Sequence, residues 1–310
     1  MSPLPVAGES PALSASCVTI GNFDGVHLGH QSLIRLAMAA AARDGLEFIL
    51  LTFDPHPREV LFGKEKHFPL ATREEKKRLL AALGIKKILE IPFTRELASL
   101  SAEEFIASRL VPLNTRRLVA GHDFSLGKNR EGGRARLEEL GEKYGYKVSQ
   151  APALKIDGEI VSSTLLRDLI KRGDMARATA LLGRYYRLSG TVGHGFARGG
   201  TLGFPTANLE GAITLYPGRG VYATFASWDD VRVPAVTNIG TNPTFSGDRT
   251  TIETFFLDSS ADVYGKPLSI DFVRRIRSER RFSGADELKT QIAQDVGEAT
   301  KILAEVSPPA

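Results

Sequence analysis

The chain has 310 residues, 25% of them charged and 42% hydrophobic, with a net charge of +4 and a pI near 9.1. Cys17 is the single cysteine, which excludes an intramolecular disulfide and a multi-cysteine zinc site and favours a reducing compartment. At about 100–200 residues per domain, two domains are expected, and the charge level with 8% aromatics is that of a folded chain.

The modest cationic excess suits anionic partners, nucleotides as easily as nucleic acid; a solvated surface with a small lysine and arginine surplus accounts for it equally well. The first sixteen residues lack the basic region of a secretory signal, and no run of eighteen apolar residues occurs. A soluble, cytoplasmic protein is expected.

Residues 17–20 form a β-branched run ending at Gly21. A polar, glycine-rich turn follows, and then residues 31–43 are helix-compatible. Residues 48–53 have strand length and are closed by Asp54, Pro55, His56 and Pro57, where two prolines forbid a continuing helix. Residues 73–83 read as a helix stopped by Gly84, 85–91 as a strand, 102–110 as a helix and 117–120 as a strand. Strands alternating with helices predict an α/β domain with a parallel sheet covered on both faces. Ligands of such sheets sit beyond the carboxyl ends of the strands, where the turns at Gly21, Asp54 and Gly121 fall.

From Tyr185 the pattern changes. Strand candidates at 186–192, 220–226, 231–238, 250–257 and 268–276 are punctuated by glycine and proline, and only 285–305 is helical. Ser283 is placed to cap that helix, and Leu288, Ile292 and Val296 give it an apolar stripe. This predicts a small antiparallel β-barrel with a C-terminal helix. A helix stop at Gly183 puts the boundary nearby, giving domains of 14–184 and 185–306.

Two constellations carry chemistry. The first is GNFDGVHLGH at 21–30. Its glycines, Gly21 and Gly25 among them, admit a ligand close to the backbone, and the helix that follows directs free N–H groups at an anion. His27 and His30 sit at that helix mouth and offer hydrogen bonds or charge to a phosphate. A capped turn with two exposed histidines, or a metal pair, would use the same residues, although no third ligand is evident. Further on, SSTLLR at 162–167 is either a helix cap or a phosphate cradle with Arg167 as a charge clamp one turn on.

The second constellation is GTVGHGFARGGTLGFPTAN at 190–208. It lacks the spacing and the helix of a dinucleotide fingerprint. In extended chain Thr206 and Asn208 point the same way and present hard oxygen ligands suited to Mg²⁺ carrying phosphates; an ordinary turn-to-strand junction reads the same. In TTIETFFL at 250–257, alternation puts Glu253 on the face of Phe255 and Leu257. Partial burial there would suit it to take a proton from an alcohol, whereas a glutamate at the barrel rim would simply reach solvent.

Taken together, the glycine-histidine turn and the SSTLLR helix start resemble the nucleotidylyltransferase superfamily. With Asp54-Pro55-His56-Pro57 and Gly121-His122-Asp123-Phe124 added, residues 17–183 resemble the FAD synthetase domain of prokaryotic bifunctional riboflavin kinase/FAD synthetases. The departures are Ser125-Leu126-Gly127, where an aromatic usually precedes the glycine, and Val161 and Leu166 in place of isoleucines. The resemblance implies a Rossmann-like fold and adenylyl transfer, with FMN attacking the α-phosphorus of ATP to give FAD and pyrophosphate. It places Gly21, Phe23, Asp24, Gly25, His27, His30, Ser163 and Arg167 at ATP, the histidines catalytic and Ser163 and Arg167 holding pyrophosphate. Asp54, Pro55, His56, Pro57 and Asp123 fall near the flavin.

The PTAN run, NIGTNPTF at 238–245 and Glu253 resemble the riboflavin kinase domain over residues 185–296, with Gly200 where a basic residue is common. This implies ATP against Gly195, Gly199, Gly203, Thr206 and Asn208, and Mg²⁺ on Thr206 and Asn208. Glu253 would activate the ribityl 5′-hydroxyl, and Arg277 and Phe282 would border the flavin. The expected ligands are therefore Mg²⁺, ATP, riboflavin, FMN and FAD, with no nucleic acid and no membrane; oligomeric state is open. Two other readings are a regulatory flavin or RNA binder without turnover, and an enzyme with one half degenerate, the kinase in view of Gly200. An RNA binder lacks support from any arginine-rich tail or aromatic platform.

Overall fold

The computed structural model describes residues 14–63, 68–193, 204–244, 247–257, 259, 261–280 and 282–306. The chain packs as two compact units. One runs to Val161 except for Phe68–Thr72, and those five residues belong with Ser162 onward to the other. Each is described by itself.

The first unit contains β1 (Ser16–Ile20), α1 (Leu28–Asp44), β2 (Glu47–Asp54), α2 (Pro57–Phe62), α3 (Arg73–Ala82), β3 (Ile88–Pro92), α4 (Arg95–Ser99), α5 (Ala102–Phe105), β4 (Thr115–Ala120), α6 (Arg134–Tyr144) and β5 (Lys147–Gln150), then the hairpin β6 (Lys155–Ile156) and β7 (Glu159–Ile160). Its parallel sheet has the order β3-β2-β1-β4-β5. Alternation along each buried strand divides the core in two. Val18, Ile20, Ile49, Leu51 and Leu118 pack with Phe105, Ile106 and Leu137 on one face. On the other, Leu50 joins Ile34 and Leu80, and Cys17 and Val119 join Ala37 and Ala41.

The helix expected over 102–110 is α5 for a single turn and then a π-helix over Ile106–Leu110, followed by a 3-10 turn at Val111–Leu113. A proline at 112 lacks the N–H that a regular helix would need there. Helix α6 buries only Leu137, Leu140 and Gly141, too thin a stripe among charges to announce itself in sequence.

The second unit opens with α7 (Ser163–Arg172) and α8 (Met175–Leu182), so by packing both go with it, ahead of the 184/185 boundary expected from sequence. Strands β8 (Tyr186–Gly193), β9 (Ala207–Glu210), β10 (Gly220–Trp228), β11 (Val231–Thr244), β12 (Gly247–Phe256) and β13 (Pro267–Arg277) close an antiparallel barrel of order β10-β11-β12-β9-β8-β13, and α9 (Ala285–Ala304) follows. Inside, the buried hydroxyls of Thr224, Thr237 and Thr254 bond to one another at 2.9 and 3.0 Å, and Thr224 also donates to the Ala235 carbonyl. That satisfies polar groups a dry barrel would otherwise penalise.

Outside, Val221, Ala223, Val236 and Val273 pack beneath Ala299, Ile302 and Leu303 of α9. The stripe expected from Leu288, Ile292 and Val296 is only half-buried; the helix seats chiefly through its last two turns. Its N-cap is Gly284, with no side-chain cap bond. Ser283 instead gives its N–H and hydroxyl to the Glu287 carboxylate, at 2.9 and 2.8 Å. Helix α7 stops at Gly173 in the left-handed conformation, φ 78°, where a Cβ would stand 2.6 Å from the Tyr222 hydroxyl.

Candidate active sites

Strand β1 lies between β2 and β4, where the order of the first sheet reverses, so the turn after β1 opens at the switch point of the sheet. Phe23 and Val26 hold φ of 49° and 40° there, a region that L-residues avoid, and Gly25 holds 77°. Each such non-glycine residue costs about 1–3 kcal/mol and persists only where its surroundings enforce it. The enforcing contacts are buried: both side chains fill the core with Ile34, Leu50 and Leu80. Asp24 is buried between them.

The turn delivers His27 to the N-cap of α1, where its Nδ1 accepts from the His30 N–H at 3.2 Å. In the neutral ring the proton then sits on Nε2. The His30 ring stacks on that of His27 at 3.6 Å and 16°, and meets the edge of Phe23 at 5.4 Å. Burial, with His27 and Lys76 adding, holds the His30 imidazole well below its ordinary 6.5. His30 Nδ1 is buried with no hydrogen-bond partner among the described residues. A Cβ on Gly29 would come within 3.0 Å of the Val161 carbonyl and 3.1 Å of the His27 ring, so this glycine seats the imidazole.

Asp54 ends β2, Pro55 and His56 follow it and Pro57 opens α2, while Asp123 follows β4, so they flank the turn after β1 on its two sides. Asp54 pairs with Arg73 at 3.2 Å, while His56 spends its Nδ1 on capping α2, accepting from the Arg58 N–H at 3.1 Å. The Asp123 side chain is exposed, and its backbone carbonyl accepts from Arg130 at 3.1 Å. Sequence reasoning passed over Lys76. It lies one helical turn before the buried Leu80 on α3, a spacing that sets it on the inward face, whereas its neighbour Lys77 pairs with Glu90 at 2.9 Å.

Ser163 and Arg167 belong to the second unit. Ser162 caps α7, accepting from the Leu165 N–H at 3.2 Å, so the capping oxygen is not that of Ser163. Arg167 gives one N–H to the Ser163 carbonyl at 3.2 Å.

In the barrel, Asn208 of β9 stands directly opposite Glu253 of β12, and Glu253 opposite Asn238 of β11. Paired residues share a face, so two amides flank one carboxylate, and Thr206 sits two residues from Asn208. Glu253 shares its face with Phe255 and Leu257, all half-buried; the buried alternate face is Ile252, Thr254 and Phe256. Phe204 meets Phe255 edge-on at 5.3 Å. Gly195, Gly199, Gly203 and Gly200 lie outside the described residues.

Arg277 is engaged with a partner the sequence did not suggest: it pairs with the buried Asp295 of α9 at 2.8–3.0 Å. Its guanidinium lies 5.5 Å from the Phe282 ring, and that of Arg280 lies 4.7 Å from it. Arg277 thus fastens α9 to β13 and holds Phe282.

Comparison with known proteins places each half. A family model for FAD synthetase matches residues 9–165, and one for riboflavin kinase matches 182–303, so a nucleotidyl-transfer fold and a phosphoryl-transfer barrel share one chain. The bifunctional riboflavin kinase/FMN adenylyltransferase of Escherichia coli (strain K12) is 39% identical over 290 residues, 92% of each chain. That of Bacillus subtilis (strain 168) is 38% identical over 293 residues, again 92% of each. A crystal structure of a chain named a macrolide-efflux protein, from Streptococcus pneumoniae, superposes with a TM-score of 0.85 over 94% of this chain and 95% of that one, at 31% identity. The chain belongs to the bifunctional riboflavin kinase/FMN adenylyltransferase family. It phosphorylates riboflavin to FMN with ATP and adenylylates FMN to FAD, releasing pyrophosphate.

Proposed function

We propose that the two reactions use separate residue sets, Glu253, Thr206 and Asn208 for phosphorylation and the His27–His30 pair for adenylyl transfer, in functional halves 14–184 and 185–306. The register of Asn208 against Glu253 is the observation that carries the kinase assignment. Glu253 takes the proton of the ribityl 5′-hydroxyl as that oxygen attacks the γ-phosphorus of ATP; ADP leaves. Phe282, held by Arg277, offers an apolar face to the flavin, and Gly195, Gly199 and Gly203 cradle phosphate. The Thr206 hydroxyl and the Asn208 amide oxygen are hard donors that fit Mg²⁺. No group of three or more His, Cys, Asp or Glu among the described residues could hold a metal, so phosphate oxygens would complete the shell. Bound there, Mg²⁺ supplies neutralisation of phosphate charge.

In adenylyl transfer the FMN phosphate oxygen bonds to the α-phosphorus as the bond to the β-phosphate oxygen breaks. No covalent enzyme intermediate is needed, so positioning and charge stabilisation supply the rate. His27 and His30 donate to the triphosphate, with Gly21, Phe23, Asp24 and Gly25 shaping the turn that holds them. Ser163 and Arg167 bind pyrophosphate; Asp54, Pro55, His56, Pro57 and Asp123 contact the flavin. The stacked imidazoles, His27 buried and His30 half-buried at the helix mouth, support this reading. We further infer a cytoplasmic enzyme of small-molecule substrates without a nucleic-acid partner, supported by the lone buried thiol. No helix among the described residues is long and apolar enough to cross a membrane.

The test is incubation with riboflavin or FMN, ATP and Mg²⁺, followed by chromatography of FMN and FAD. His30→Ala should slow FAD formation from FMN and leave riboflavin phosphorylation intact. Unchanged FAD synthesis in that variant would remove the histidine pair from the mechanism.

A further inference from the structure

Resting on the histidine assignment just made, we propose that Lys76 is a positioning residue for adenylyl transfer: its ammonium, fixed by Thr52 and Phe53 and tied through Thr52 to Asn22, sets a permanent charge beside the β1–α1 turn that carries His27 and His30 and holds that turn in register. The half-buried Nζ donates to the Thr52 hydroxyl and the Phe53 carbonyl, each at 3.3 Å. The Thr52 hydroxyl in turn donates to the carbonyl of Asn22 at 3.3 Å, inside the glycine-histidine turn. The chain Lys76–Thr52–Asn22 therefore ties α3, the end of β2 and the strained turn into one polar strut.

The charges around it fit the role. Asp24 of the turn, Asp54 at the end of β2 and Glu90 of β3 attract the ammonium, while Arg73 on the same helix repels it. Two of these carboxylates already have cations, Asp54 with Arg73 and Glu90 with Arg73 and Lys77. His30 is faced by His27 on its own turn and by Lys76 from α3, and both oppose a proton on it. Burial pushes the Lys76 ammonium down from its ordinary value, with the three carboxylates pulling the other way. A fixed cation near the His30 imidazole disfavours its protonated form. The uncharged form is the one whose His27 Nδ1 can accept the cap bond from His30.

The experiment is the pH profile of kcat/KM for FAD formation from FMN in Lys76→Gln, which removes the charge and keeps a polar side chain. The acid limb should move to higher pH and the rate at pH 7 should fall about tenfold, with riboflavin phosphorylation by the same preparation within twofold. An acid limb at the wild-type pH overturns the proposal whatever the rate. Should phosphorylation be lost as well, Lys76→Arg decides: transfer with the wild-type acid limb supports the role, and transfer as poor as in Lys76→Gln overturns it. His30→Gln, assayed alongside, separates the two levels. If it leaves transfer intact, the histidine assignment fails; if it slows transfer while Lys76→Gln does not, only the proposal for Lys76 fails.

Discussion

Asn208 and Glu253 are cross-strand partners in the β9–β12 ladder, which sets an amide beside a carboxylate on one half-buried face of the barrel. Removing the charge while keeping the shape isolates the proton-accepting role. Glu253→Gln should lower riboflavin phosphorylation by about 10²–10⁴-fold, the usual worth of a general base. FAD formation from supplied FMN should stay within twofold. Loss of both activities in parallel would argue against separate sites.

His30 links the first site to stability. Its folded form resists the proton because burial, His27 and Lys76 all hold it below 6.5, so the unfolded chain binds that proton more readily. The contribution is therefore complete above about pH 6.5 and lost progressively as pH falls from there toward the folded value. Urea unfolding of the first unit should give a midpoint that drops between pH 7.5 and pH 5.5, and His30→Gln should flatten the drop. An equal slope in both proteins would show that the titration lies elsewhere.

Gly29 offers a gentler perturbation. A methyl group there would meet the Val161 carbonyl at 3.0 Å and the His27 ring at 3.1 Å, so one of them must give way by a few tenths of an ångström. Because misplacement of a catalytic group by about 1 Å can cost about 10²-fold, Gly29→Ala should slow FAD formation by about 3–10-fold. Its thermal midpoint should stay close to wild type. An unaltered rate would mean that the imidazole can move without consequence.

Asp295 is buried on α9 with its carboxylate shared between Arg277 and Gln291. Taking one partner from a buried pair leaves the other uncompensated and costs about 3–5 kcal/mol. Asp295→Ala should lower the unfolding free energy of the barrel by that order in denaturant titration, and riboflavin phosphorylation should fail at a lower temperature than in the wild type. A variant as stable as the parent would relegate the pair to a surface ornament.

Elements carried by local pattern are legible in the residues alone. The β-branched run before Gly21, the helix after His27 and the alternation around Glu253 each follow from rules spanning a few neighbours, and motif order then carries the chain to its family. Helix α6 is not legible, because charge dominates it, and the π-helix at Ile106–Leu110 hides in a segment whose residue types read as an ordinary helix.

What the sequence by itself determined is the class of fold, since hydrophobic period and glycine placement are local properties, and, through the resemblance its motif order carries, the two chemistries. Only the tertiary structure decided which charges meet. It turned Lys76 inward and left Lys77 to Glu90, gave Arg277 to Asp295, and aligned Asn208 with Glu253. Those pairings join residues on different elements, and nothing local to either partner encodes the register or the burial that brings them together.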